Sequence, residues 1–307
     1  MKFVLCLLAA AASAAAADPP QIDIANAALK AKLYLPDAEK GYYRATRFDW
    51  SGVVAALERK GHNYFGVWFE GYDPKKHDAI TGPVESFNAI GYDEAAPGDK
   101  FLRIGVGWLR RPDDPRVNDF KTYDIVDSGK WTVRKGADWV EFTQTLPGTY
   151  VYRKTVRLVK DRLVLEHVLE NKGKKTLETN VFNHDFYMLD NQPTSPDIVV
   201  KFPFVAKPTA DWRGPGEVRG NEIVYQQELQ KGQTVSGHVT GYGATSSDYN
   251  MVVENRKTGV GVRQTGDRPI VNLNFWSIRT TVCPEAYVHI RVEPGKKDAW
   301  RTSYEFY

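Results

Sequence analysis

Residues 163–191 read LVLEHVLENKGKKTLETNVFNHDFYMLDN, and the rest of the chain is interpreted outward from them. Leu163, Leu165, His167 and Leu169 alternate with Val164, Glu166, Val168 and Glu170, and this period of two predicts a strand with one buried face. Asn171-Lys172-Gly173-Lys174-Lys175 is a polar, glycine-containing turn of hairpin length. A second strand is predicted from Thr176 to about Phe182, ending at Asn183-His184-Asp185 and Phe186-Tyr187-Met188-Leu189. An imidazole among amide, carboxylate and aromatic groups at a strand end suits a sugar site. Rings stack on the apolar faces of a sugar, and the polar groups bond its hydroxyls.

Alternation and turn signals recur along the chain. Strands are predicted at 28–35, 53–57, 64–69, 102–108, 122–127, 130–135, 139–146 and 150–159, with β character also at 41–50. Later ones fall at 198–204, 222–227, 234–241, 251–255, 259–264, 270–277 and 287–292. Turn signals every 8–12 residues without long helical periodicity predict an all-β fold, a large antiparallel β-sandwich. No repeat of 20–50 residues argues for a propeller or solenoid. With no linker between halves, residues 18–307 are expected to form one domain.

Residues 1–17 have the pattern of a signal peptide: Lys2, an apolar run from Phe3 to Leu8, and Ala15-Ala16-Ala17 before Asp18. The run is shorter than the ~20 residues needed to span a bilayer. The expectation is an exported protein, periplasmic or secreted, with no membrane attachment after cleavage. Cleavage would remove Cys6 and leave Cys283 alone, so no intrachain disulfide is expected. The net charge of +3 is dispersed, which argues against a nucleic-acid partner. The six histidines show no H-x-x-x-H spacing and no C-x-x-C is present, so no metal site is expected. A G-x-S-x-G nucleophile segment is also missing.

The central stretch resembles the middle of aldose 1-epimerases (galactose mutarotases). In that family a strand, an "ENTGDKP"-like turn and a second strand lead to an Asn-His-x-Tyr/Phe-Phe motif. The matching residues are Glu170-Asn171-Lys172-Gly173-Lys174-Lys175, Asn180 and Asn183-His184-Asp185-Phe186. The C-terminus carries a second match. Thr281-Val282-Cys283-Pro284-Glu285-Ala286 resembles the family's "V-C-L-E" segment, Glu293-Pro294-Gly295 its "L-x-P-G-E" turn, and Tyr304-Glu305-Phe306 its closing "Y-x-F". The resemblance implies the galactose-mutarotase-like supersandwich, a sugar as partner, and His184 and Glu285 as the catalytic pair.

The implied chemistry is anomer interconversion. A base takes the C1-hydroxyl proton while an acid protonates the ring oxygen; the ring opens, the C1–C2 bond rotates, and closure gives the other anomer. Carboxylate and imidazole, with ordinary pKa values of ~4.3 and ~6.5, suit this at neutral pH. The resemblance assigns Glu285 as base and His184 as acid, and the reaction needs no cofactor. If the two groups flank one pyranose, their functional atoms should lie about 5–9 Å apart.

The family's "G-R-x-A-N-R-I" segment would fall near Gly82–Asn88. Its "L-H-G-G" histidine would fall near Gly98–Gly107, where no histidine stands. Lys100, Arg103 or His77 are candidates for that hydroxyl-binding role; Asn183 and the rings of Tyr187 and Trp276 complete the expected substrate contacts. No residue matches the family's sugar-binding aspartate. Two alternatives stay open: a non-catalytic carbohydrate-binding protein, and a polysaccharide lyase or hydrolase on the same fold, for which a Tyr or Arg beside the pair is expected.

Overall fold

The computed structural model describes residues 18–307; the predicted signal segment lies outside the described residues. Two antiparallel sheets dominate, one of ten strands and one of six, with smaller sheets of four and three strands. Among the described residues the only helix is two 3₁₀ turns, Leu189–Asn191 and Ser246–Asp248. This is the all-β, large antiparallel sandwich that the alternation predicts.

The core lies between the two large sheets. Val156, Leu163 and Leu165 from the ten-stranded sheet meet Leu273, Phe275 and Val288 from the six-stranded one in a single apolar cluster. A second cluster packs on the other face of the six-stranded sheet. It joins Tyr43, Phe48, Trp50, Trp68 and Phe101 to Phe186 and Cys283.

The stretch 163–191 is not a hairpin. Arg162–Asn171 pairs with Tyr150–Val159 and Lys297–Phe306 in the ten-stranded sheet. Leu177–His184 pairs with Thr281–Val292 and Val84–Phe87 in the six-stranded sheet. The turn is therefore the crossover between the two layers. Asn171 holds it: its Nδ2 donates to the carbonyls of Lys175 and Val292, each at 2.8 Å, and its Oδ1 accepts from the Gly173 amide at 2.9 Å. Turn length and composition are the same for a hairpin and for such a crossover, so the local sequence does not separate them.

Three other expected strands differ; the one at 64–69 is irregular chain that follows the two-residue strand His62–Asn63. The segment expected as one strand at 102–108 is a tight hairpin of Lys100–Arg103 with Gly107–Arg110. Gly105 and Gly107 both have positive φ there, and a Cβ on Gly105 would meet Asp49 at 2.6 Å. The β character at 41–50 is instead irregular chain. Its aromatic residues pack on the six-stranded sheet rather than pairing within it.

Between the sheets lies a buried polar network. The Lys154 ammonium donates to a Glu85 carboxylate oxygen and, at 2.8 Å, to the Ser51 carbonyl. His167 Nε2 lies 2.8 Å from the other Glu85 oxygen, to which Asn183 Nδ2 donates at 3.1 Å. Glu85, Lys154 and His167 are all shielded from solvent. Burial alone would raise the Glu85 pKa, but Lys154 and His167 more than reverse it.

Candidate active site

A cleft of about 530 Å³ opens on the face of the six-stranded sheet away from the main core. Strand register builds its floor. Thr234–Thr240 sets His238 opposite Asn274, and Asn272–Ile278 sets Asn274 opposite Glu285. The next ladder pairs Val181 with Val288, and an isolated bridge pairs Tyr187 with Val282. That register holds on both sides of His184 and brings it level with Glu285. Directly opposed residues on neighbouring strands share a face. His238, Asn274, Glu285 and His184 thus form one crosswise row.

His184 Nε2 lies 3.2 Å from Glu285 Oε1. Both side chains line the cleft, yet only 4% and 3% of their residue surfaces are exposed. Asn274 Nδ2 donates to the second Glu285 oxygen at 2.9 Å. The His184 ring stacks on Phe186 at 3.8 Å and 9°, and Phe186 stacks in turn on Trp68 at 4.7 Å. Phe48 and Trp276 meet His184 edge-on. This aromatic clamp holds Phe186 with φ of +49°, a backbone region that non-glycine residues enter only when the surroundings enforce it.

Burial displaces both proton affinities. It pushes His184 well below the usual imidazole value, and the Arg47 charge adds to that. Burial likewise raises Glu285, partly opposed by the Asn274 hydrogen bond and by Arg47. Both shifts favour the uncharged form of each group.

The separation of 3.2 Å is shorter than the 5–9 Å expected for groups flanking a ring. The physical reason is register: His184 and Glu285 stand opposite each other on neighbouring strands and on the same face, so their side chains meet.

Trp276 stands in the cleft wall as expected. Asn183 does not face the cleft. It follows Phe182 and precedes His184 on a strand, so its side chain points to the opposite face, into the Glu85 network. Tyr187 is in the main core, where its hydroxyl donates to Gln264 Oε1 at 3.1 Å. Lys100 lies over the Trp108 ring in a different groove. Arg103 is buried behind the cleft wall, bonding Asp119 at 2.6 Å and the Arg47 carbonyl at 3.1 Å, and so supports two lining residues without lining the cleft itself. His77 is also one step back, 3.3 Å from Asp78 and edge-on to Phe120, both of which line the cleft.

Several lining residues were not singled out from sequence. Arg47 and Phe120 come from the irregular segments that cover the sheet. Asp211 and Arg213 come from a segment lying against the strand Thr234–Thr240, where a Cβ on Gly237 would meet the Trp212 Cα at 2.6 Å. Asp211 Oδ2 is 2.6 Å from His238 Nδ1. The Thr209 hydroxyl, followed by His238, holds the Asp211 carboxyl far below the usual range. Asn274 was the most legible of these, since the predicted strand 270–277 alternates and the residue sits on its Trp276 face.

No protein-family model matches the chain, and no curated protein matches its sequence. Solved structures do match its shape. The Slr1438 protein from Synechocystis sp. PCC 6803 aligns over 97% of this chain and 99% of its own, with a TM-score of 0.59 and 12% identity. A galactose mutarotase-like protein from Lactobacillus casei aligns over 94% and 100%, with a TM-score of 0.56 and 14% identity. A GalM/aldose epimerase homologue from C. elegans aligns over 94% and 98%, with a TM-score of 0.56 and 15% identity. Shared coverage this complete at such low identity is a likeness of fold, and the chain has the galactose mutarotase-like fold.

Proposed function

We propose that the protein interconverts sugar anomers as an aldose 1-epimerase, by acid–base ring opening and closure. The observation that carries this reading is the His184–Glu285 pair, 3.2 Å apart on the floor of a cleft. Glu285, held by Asn274, accepts the C1-hydroxyl proton; His184, in the protonated form of the pair, delivers one to the ring oxygen. Closure runs the same transfers backwards on the other carbonyl face. Trp68, Phe186 and Trp276 offer rings to the sugar's apolar faces, and His238 lies two strands from Glu285, ~10 Å away at ~4.8 Å per strand, within reach of the far hydroxyls.

Each acid–base group is expected to contribute ~10²–10⁴-fold. His184→Ala and Glu285→Gln should therefore each lower kcat at least ~10²-fold with little change in folding. Anomer exchange followed by NMR on a panel of aldoses tests this. A wild-type rate equal to the uncatalysed one for every sugar would remove the assignment.

A second reading has its own support. Tyr287 and Arg47 line the same cleft as the pair, the arrangement a lyase would use on a uronate-containing polysaccharide. Burial raises the Tyr287 hydroxyl far above its usual pKa, which disfavours it as a base. Release of unsaturated oligosaccharides from such polymers would favour the lyase; their absence, with anomer exchange present, favours the epimerase.

A further inference from the structure

Two irregular segments, 41–50 and 111–124, reach over the cleft, and neither contains a strand. The first brings Arg47 to the cleft and the second brings Asp119 and Phe120. The Arg47 guanidinium lies over the rings of Phe48 and Phe120, 4.7 and 5.0 Å from their centroids, and Phe48 meets His184 edge-on at 5.7 Å. A stack therefore runs from solvent to the His184 imidazole, and it crosses from one segment to the other between Arg47 and Phe120. Phe120 is 66% exposed, and a cation–ring contact open to water is weak. The stack does not fix the two segments to each other by itself.

Arg103 does. It ends the strand Lys100–Arg103, is 1% exposed and does not line the cleft. Its Nη1 donates to the Arg47 carbonyl at 3.1 Å, and its Nη2 to Oδ1 of Asp119, the neighbour of Phe120, at 2.6 Å. The Ser86 hydroxyl reaches the same carbonyl only at 3.4 Å, and Thr46 bonds the second segment at Lys121 and Tyr123, which do not line the cleft. A buried ion pair is weak evidence for stability, because apolar side chains of similar volume often serve as well or better. What a guanidinium adds is a planar fork that sets two acceptors at a fixed spacing, which neither an apolar side chain nor a single ammonium does. Resting on the epimerase reading, we propose that Arg103 is a positioning residue for the sugar: its fork fixes Arg47 and Phe120 as a cover over a pyranose seated on His184 and Glu285.

The test compares wild type, Arg103→Met and Arg103→Lys with D-glucose, D-galactose and D-xylose. Anomer exchange is measured by NMR, and amide hydrogen exchange is measured on the same proteins. Misplacing groups that hold the sugar without reacting should raise KM for Arg103→Met about tenfold or more, with kcat within roughly threefold of wild type. Amides of 41–50 and 111–124 should exchange faster in that variant, while those of Leu177–His184 keep their wild-type rates. Arg103→Lys, which keeps the charge but not the fork, should fall between the two. Loss of folded protein lowers apparent kcat and leaves KM, so it does not mimic this split. An unchanged KM, or faster exchange throughout the sheet, overturns the inference. If Arg103→Met does not fold, Arg103→Lys alone decides, and wild-type KM and exchange rates in it overturn the inference. If wild type exchanges no sugar but binds one, the epimerase reading falls, and Kd from chemical-shift titration replaces KM with the same outcomes. If no sugar binds, both fall.

Discussion

His184 is a buried imidazole whose Nδ1 has no partner among the described residues and whose Nε2 faces a carboxylate. Burial lowers its folded pKa, so the unfolded chain binds the proton more readily. That contribution to stability is fully present above the unfolded value of ~6.5 and is lost as pH falls through the depressed folded value. Asp49 acts with the opposite sign in part of this range, because burial raises it to about 6. The difference between wild type and His184→Gln isolates the histidine. Melting temperature should fall less in the variant than in wild type between about pH 7 and 5; an equal or steeper fall would contradict the assigned shift. Asn274 gives a second test at this scale. Its bond favours the Glu285 carboxylate, so Asn274→Ala should move the acidic limb of the kcat/KM profile upward. An unmoved limb would show that Asn274 does not tune the base. His184 and Glu285 were legible from sequence because short motifs carry them. Asn183 was misplaced because residues adjacent on a strand face opposite ways. Arg47 was missed because it lies in irregular chain, where no period says which way a side chain points.

The strands Leu177–His184 and Thr281–Val292 place the pair, and their register depends on what lies beneath them. Val84–Phe87 is the edge strand beside His184, and its Glu85 is anchored to Lys154 on the opposing sheet. Removing one partner of a buried ion pair typically costs ~3–5 kcal/mol, because the other charge is left uncompensated. Lys154→Met should therefore destabilise the protein by an amount of that order in urea unfolding, and the Glu85→Gln/Lys154→Met double change should recover part of it. A double variant less stable than the sum of the singles would argue against coupling between the two. Lys154 reads in sequence as one more polar position on an amphipathic strand, and nothing local shows that its neighbour across the core is a glutamate. Strand existence was legible for most of the two large sheets because alternation reports a buried face directly. Pairing was not: the turn after Asn171 joins two layers, and only the distant partners Lys297–Phe306 and Thr281–Val292 decide that.

Across the whole molecule, architecture and chemistry rest on different supports. A sandwich follows from many short alternating strands, and solved structures of a galactose mutarotase-like protein and an aldose epimerase homologue match it along nearly its full length. Fold alone does not assign activity, so the functional claim stands on the cleft. We also propose export, from Lys2, the apolar run and Ala15-Ala16-Ala17. Mass spectrometry of the protein recovered outside the cytoplasm should show Asp18 as the first residue, and an intact Met1 end would count against it. The central claim is that His184 and Glu285 together open and close a sugar ring, and exchange NMR on an equilibrated anomer mixture tests it most directly. The account predicts α-to-β exchange cross-peaks on adding wild-type protein to at least one sugar of the panel, and their loss with Glu285→Gln at unchanged fold. Sugar binding by the wild type without any exchange above the uncatalysed rate, or exchange that Glu285→Gln leaves intact, would contradict it.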